Sequence, residues 1–400
     1  MYCICQIGKM RLAVVFLVLM SIFGSLDANT LKSIAQGNDR FTEYTYKKLV
    51  RILGNENIIF SGLSAEVILS LLANGAKGTT RKQLLKGLSL PQKIKSINEA
   101  YSKLTTGLEV NEDKYNLNLA NKIYLAQNFS IKQQFNDIAV NSYAAEVENI
   151  DFSKPAKAAN LMNSWVEEKT NNRITNLIDK NNLGPDTIIV LINALYFSGE
   201  WKNPFSPMNT ADRTFYNSPS ESKKITSMYT EEIVKYAYNE KLKAKFLELG
   251  FKNGNISMTF VLPDKIDGLS AVEKNLKLYL APQTMESARV AITLPKFTIE
   301  TEIEFKHILQ SLGVRKMFNP GNELSGISNG PLKVDFVIQK TFIDVNENGV
   351  EAAAATAVNF IPVSLYRPPA KFIFNADHPF YFYIRDLNTD VTLFSGRFLN

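Results

Sequence analysis

The sequence predicts an α+β fold with large β-sheets, on three observations. Apolar residues recur at three- and four-residue spacing in the first half, strand-like apolar runs dominate the second, and neither a βαβ alternation nor an internal repeat links them. With 400 residues, 45% of them hydrophobic and 21% charged, the chain can bury a large core. Its 20 glycines and 15 prolines are spread out without forming a linker, which favours one large domain.

The elements follow in order. Lys9 and Arg11 precede an apolar run from Leu12 to Phe23, closed by Gly24, Ser25, Asp27 and Ala28. This is the pattern of a secretory signal peptide over residues 1–28, with cleavage near Ala28. The run is shorter than the roughly 20 residues needed to cross a bilayer, so no membrane anchor is expected. Cleavage removes Cys3 and Cys5, the two cysteines of the chain, and suits export to an oxidising extracellular space. There the sequons at Asn128 and Asn255 could carry glycans.

Helices are expected where Leu49, Ile52 and Leu53, then Val67, Ile68, Leu71 and Leu72, fall on one face. A further helix starts near Thr80 and runs through Leu84, Leu85 and Leu88. Another carries Leu161, Met162, Trp165 and Val166 before the Asn171-Asn172 pair interrupts it. From Thr187 the run TIIVLINALYF reads as a strand buried on both faces. MTFVLP, ARVAITLPKFTIE, LKVDFVIQKTFIDV, KFIFNADHPFYFYIRD and VTLFSGRFL are further strand candidates.

Two histidines, His307 and His378, and no cysteine beyond Cys5 leave no material for a multi-His metal site, a Cys/His protease or a disulfide scaffold. A Ser/His/Asp triad lacks a nucleophile-elbow pattern, so enzymatic chemistry is not expected, and neither is a cofactor. The net charge of +6 comes without a dense Lys/Arg run bearing interleaved aromatics, which argues against nucleic acid.

One segment departs from the rest. After the strand ending at Val345 comes ENGVEAAAATAVNFIPVSLYRPPAKF, where four alanines are confined between Gly349 and Pro362. It reads either as an exposed linker or as a latent strand. Val350, Ala352, Ala354, Thr356, Val358 and Phe360 would form one face; Glu351, Ala353, Ala355, Ala357 and Asn359 the other. A segment that is at times outside a sheet and at times inside it would account for the second pattern.

In NIIFSGLS from Asn57, GAKGTTRKQL from Gly75, NSWVEEKTNNRITNLI from Asn163, LINALYFSGEW from Leu191, LPKFTIE from Leu294, LGVRKMF from Leu312, ELSGIS from Glu323, NENGVEAAAAT from Asn346 and the closing FNADHPFYFYIRD and LFSGRF, the sequence resembles the serpins, and among them secreted arthropod members. The resemblance covers residues 29–400. It implies three β-sheets, eight or nine helices and an exposed reactive-centre loop at about residues 347–369. It further implies a suicide inhibitor that holds its target serine protease as a covalent acyl complex while the cleaved loop becomes a new strand of the large sheet. The alternative is a non-inhibitory serpin serving as a carrier, storage or binding protein.

The hinge implied by the resemblance is Glu347, Gly349, Val350, Ala352, Ala353, Ala354, Ala355 and Thr356. The family spacing puts the reactive bond between Val363 and Ser364, which suits an elastase-like protease. Leu365 or Tyr366 as bait would suit a chymotrypsin-like one, whereas Arg367 is followed by Pro368 and is a poor trypsin-type site. Ser61, Ser64, Asn193 and Gln339 match the region where the sheet parts. Lys296 and Glu347 match an ion pair where the loop enters, with Trp201 beside it. Gly62, Gln339 and Val350 depart from the proline, histidine and threonine or serine usual at their positions; Gly62 is expected to loosen the helix entrance. Scattered lysines, Lys103, Lys114 and Lys122 among them, interleave with acids in the region where some members bind sulfated sugars, so weak polyanion binding at most is expected. The protein is expected to be a monomer.

Overall fold

The computed structural model describes residues 29–109, 115–252, 254–350 and 369–400. The expected leader lies outside the described residues, as do Ala352, Ala353, Ala354, Ala355, Thr356, Val363, Ser364, Leu365 and Tyr366.

Nine α-helices occur among the described residues: α1 over 29–53, α2 Gly62–Gly75, α3 Gly78–Gly87, α4 Ile94–Glu109, α5 Gln133–Tyr143, α6 Pro155–Lys169, α7 Leu269–Lys274, α8 Leu276–Leu280 and α9 Lys306–Ser311. Helix α2 starts where the Ser61 hydroxyl accepts the Ser64 N–H and satisfies a donor of the first turn. It runs through the interior, with Val67, Ile68, Leu71 and Leu72 fully buried. Helix α6 begins at Pro155, whose missing N–H costs nothing in a first turn. It stops before Asn171 and Asn172, both left-handed at φ 50° and 60°. Not every residue of the expected apolar stripes faces inward: Ile52 is 63% and Leu161 49% exposed.

The strands are β1 Ile58–Phe60, β2 Tyr115–Ala126, β3 Ala145–Ile150, β4 Ile189–Glu200, β5 Ala211–Ser218, β6 Glu221–Asn239, β7 Ala244–Gly250, β8 Ile256–Pro263, β9 Glu286–Pro295, β10 Phe297–Glu304, β11 Val334–Val345, β12 Gly349–Val350, β13 Phe372–Asn375, β14 Phe380–Asp386 and β15 Val391–Phe398. Two of the long strand candidates each split in two. Lys296 turns the chain from β9 into β10, in a different sheet, and residues 376–379 separate β13 from β14.

Among the described residues the hydrogen-bonded strands make two sheets. In the nine-stranded one the order is β1, β15, β14, β8, β7, β6, β9, β13, with β5 also on β6. Strand β6 is 19 residues long. Its first part pairs with β5, Ser227–Tyr236 pairs with β9, and its end pairs with β7. It thereby joins two portions that count as separate sheets in the expected total of three.

The six-stranded sheet runs β10, β11, β4, β2, β3, with the short β12 between β11 and β4 at one end. Both of its faces are covered. On β4, Ile189, Leu191, Leu195 and Phe197 join the main core, while Val190, Ile192 and Ala194 join a second core under α6 with Met162 and Val166. Burial on both sides explains why this strand reads as an unbroken apolar run.

Candidate functional site

The centre of the six-stranded sheet is a parallel pair. Strands β4 and β11 run side by side from Ile189↔Val334 to Tyr196↔Phe342, with Asn193 opposite Gln339. That pair carries a polar network in an otherwise apolar layer. Asn193 Nδ2 donates to Ser64 Oγ and, at 2.6 Å, to Asn121 Oδ1. Gln339 Nε2 donates to Asn193 Oδ1 at 2.5 Å and to the Ser61 carbonyl at 2.9 Å, and its Oε1 accepts the Ser61 N–H at 3.0 Å. All five residues are buried. The network ties β11 to β4, β4 to β2, and both central strands to the first turn of α2. A strand entering between β4 and β11 must break the Gln339–Asn193 bond.

Gly62, the first residue of α2, has a packing reason that the sequence did not suggest. A Cβ there would strike Thr42 Oγ1 of α1, so the glycine lets two helices approach closely. The expectation of a loosened helix entrance gives way to a tight one.

At the other end of the seam the chain leaving β11 reverses within four residues. Asn346 N–H donates to the Gly349 carbonyl at 2.9 Å, Gly349 N–H returns to the Asn346 carbonyl at 3.3 Å, and the Asn346 side chain accepts the Asn348 N–H at 3.0 Å. The returning residues are β12. Val350 pairs antiparallel with Val345 on one side and with Gly199 on the other, fully buried. A side chain at Gly349 would strike the Gly199 carbonyl oxygen and lie 2.8 Å from Glu200 Cα, so a glycine is required for β12 to sit there.

The reversal is clamped from outside. Trp201 N–H donates to the Asn348 carbonyl at 2.8 Å, its indole Nε1 to the Asn346 carbonyl at 3.0 Å, and Phe205 N–H to the Glu347 carbonyl at 2.8 Å. The indole stacks on Phe251, centroids 4.7 Å apart. The Glu347 carboxylate takes Lys296 Nζ at 2.9 Å and the Thr210 hydroxyl at 2.8 Å. Burial alone would raise this carboxyl, but the hydrogen bonds from Lys296 and Thr210 outweigh it and hold the group below the usual carboxylate range. Lys296 is over a third exposed, so the pair biases the hinge by a modest amount, about 0.2–1 kcal/mol.

The structure therefore brings Ser61, Ser64, Asn193 and Gln339 into one cluster, and Lys296, Trp201, Glu347, Gly349 and Val350 into another, at separate points along the same seam. Asn121, Thr210, Phe205 and Asn346 belong to these clusters and were not singled out from the sequence. Asn121 left a signal, a polar residue on the same strand face as the buried Leu117, Ile123 and Leu125. Thr210, in a loop, left none. Lys122, expected on a solvated face, is buried between Glu146 at 2.8 Å and Glu148 at 2.7 Å, and packs over the rings of Tyr124 and Trp165. Asn128 and Asn255 are both exposed. His378 has its ring nitrogens on Asp377 Oδ1 and the Pro263 carbonyl, at 2.8 and 2.7 Å, so neither faces a serine hydroxyl. Among the described residues no helix is long and apolar enough to cross a membrane.

Residues 36–400 match the family model described as Serpin (serine protease inhibitor). Alaserpin of Manduca sexta is 35% identical over 394 residues, covering 95% of this chain and 98% of that protein. Antichymotrypsin-2 of Bombyx mori is 36% identical over 378 residues, covering 93% and 98%. A solved structure of Serpin48, described as a highly specific serpin in the insect Tenebrio molitor, superposes with a TM-score of 0.84 at 39% identity, covering 92% of this chain and 98% of that one. A sheet with a parallel central seam, a hairpin already set into one end of it and a match over nearly the whole length agree: this chain belongs to the serpins, a family of serine protease inhibitors.

Proposed function

We propose that the chain is a secreted suicide inhibitor of an elastase-like or chymotrypsin-like serine protease, acting through a reactive bond between Val363 and Ser364. In this reading the protease serine oxygen adds to the Val363 carbonyl carbon, the bond to the Ser364 nitrogen breaks, and that nitrogen leaves as an amine carrying the proton. The protease stays esterified to Val363. The freed segment then continues the strand that β12 begins, and Val350 to Val363 would extend it by about 45 Å at 3.3 Å per residue. The protease is carried to the far end of the sheet with its ester unhydrolysed.

The observation that carries this reading is β12 itself. The chain reverses at Asn346–Gly349 and sets Val350 between the two central strands, with a glycine at the position of the reversal where a Cβ would collide, and this supports a chain that can go on inserting. The alanine-rich alternation that follows is what such a strand needs to continue. The relatives named antichymotrypsin and antitrypsin support a serine protease as the target. Export rests on the basic and apolar leader, and the exposed Asn128 and Asn255 are the sites proposed for glycans.

The mature chain is mixed with pancreatic elastase, chymotrypsin and trypsin in turn, and the products are read on denaturing gels and by mass of the released C-terminal peptide. A denaturant-stable conjugate with a peptide beginning at Ser364 is expected from elastase. A peptide beginning at Tyr366 or Arg367 moves the bait to Leu365 or Tyr366. Cleavage without conjugate by all three proteases overturns the inhibitory reading in favour of a non-inhibitory binding or carrier serpin.

A further inference from the structure

Two stretches of the chain contain no Asp or Glu at all. From Val67 to Asn98 there are Lys77, Arg81, Lys82, Lys86, Lys93 and Lys95; from Phe305 to Asn322 there are Lys306, Arg315 and Lys316. The fold puts these stretches against each other. The Gln83 side-chain oxygen accepts the N–H of Arg315 at 3.0 Å and of Lys316 at 2.9 Å, the Lys77 N–H donates to the Glu323 carbonyl at 2.6 Å, and Gly87 packs against Val314. Lys82 and Lys86, four residues apart on α3, flank Gln83 on the same side of the helix. Lys77, Lys82, Lys86, Arg315 and Lys316 are all exposed.

Among the described residues none of these five forms an ion pair. Elsewhere on this surface lysines commonly do, as in Lys47–Glu43, Lys154–Asp151, Lys252–Glu200 and Lys371–Glu286. Glu323 borders the face; its carboxylate accepts the Thr80 N–H and hydroxyl, both at 2.7 Å, and offsets part of the charge of Lys316. Five like charges held on rigid elements, with Glu323 the acid beside them, repel one another, and an anionic partner relieves that repulsion. The face also carries no large exposed apolar side chain. That leaves nothing to stack on bases or to enter a bilayer.

We propose that the face formed by α3 and residues 315–316 is a binding site for a sulfated polysaccharide, read by charge. It replaces the region around Lys103 to Lys122 as the polyanion site, since Lys122 is buried between two glutamates. The face lies at the end of β11 where the strand begins: Gly321 bridges Leu332, just before Val334. The hinge is at the other end of this 12-residue strand, about 40 Å away at 3.3 Å per residue. A bound chain would therefore tether the protein and leave the hinge free. This inference does not depend on the protein being an inhibitor.

Retention of the full mature chain on immobilised heparin is measured against salt for three pairs of substitutions: Lys82→Glu with Lys86→Glu, Arg315→Glu with Lys316→Glu, and, as a control of equal net charge, Lys223→Glu with Lys224→Glu on β6. Wild type is expected to stay bound above about 0.15 M salt, with each pair on the face reducing the slope of log affinity against log salt by about 2 and the control leaving it unchanged. If a glutamate pair does not fold, the corresponding glutamine pair is read in the same way. Equal losses from control and face variants, or no retention of wild type at 0.15 M salt, would overturn the site. Tighter binding to duplex DNA than to heparin would overturn the ligand.

Discussion

A single carboxyl group inside α2 makes the stability of the fold depend on pH in a direction that can be tested. Glu66 is fully buried, with Oε2 taking the Asn38 amide at 3.3 Å and Oε1 without a partner among the described residues. Burial pushes its carboxyl well above the ordinary range; the Asn38 bond and the more distant Arg40 lower it, and the charge of Asp39 raises it further. Its other titratable neighbour is the buried Tyr101 of α4. The folded chain holds this proton more tightly than the unfolded one. Its contribution to stability is therefore fully present below the unfolded value of about 4.3 and is lost as pH rises toward the raised folded value. Glu66→Gln cannot ionise and is expected to flatten that decline by on the order of 1 kcal/mol between pH 5 and pH 7, in urea unfolding at the two pH values. An unchanged difference between the two curves would count against it. The seam network contrasts with this group. Its amides and hydroxyls do not titrate across this range, so opening of the sheet at Gln339 is expected to be indifferent to the same change in pH.

Among the elements, β12 has the most to reveal, although it is two residues long. Val350 is closed in by β4 and β11, and an arginine there would bring an unpaired charge into the sheet at a cost of about 3–5 kcal/mol. Val350→Arg is expected to keep the hinge out, lowering the yield of protease conjugate by at least about tenfold while the loop is still cut. The ratio of conjugate to nicked chain on a denaturing gel reports this; an undiminished yield would mean that insertion does not begin at Val350. The same hinge shows what sequence can and cannot deliver. The alternation after Val350 lies outside the described residues; its glycine was readable because a glycine at a tight reversal is a local signal. So were the ends of α2 and α6, set by Ser61, Pro155 and the Asn171-Asn172 pair. Strands β2 and β3 were passed over within a half read as helical, since β2 is buried on both faces and its alternation is blurred by Ala120, Tyr124 and Ala126. Lys122 looked solvated because its glutamates are on the neighbouring strand β3. The family resemblance put Trp201 beside the Lys296–Glu347 pair, but Phe205 and Thr210 reach the hinge from a segment more than 130 residues before it, and no local pattern encodes such a meeting.

The whole molecule is organised around a parallel pair, β4 with β11, whose outer neighbours β2 and β10 pair antiparallel to them. A strand that continues β12 would lie antiparallel to both, so one parallel ladder would give way to two antiparallel ones, which are somewhat stronger per residue. A chain nicked in the loop is accordingly expected to melt higher than the intact one, by on the order of 10 °C or more, in a thermal scan followed by circular dichroism. An identical melting curve after nicking would show that the sheet does not take up the strand. The parallel seam also bears on time. If a better-bonded arrangement of the same chain exists, the uncut fold persists because the way out of it is slow, and its working life is a half-life. Heat, age and any change that loosens the bond between Gln339 and Asn193 then all draw on the same reserve: the waiting time before the seam opens with no protease present.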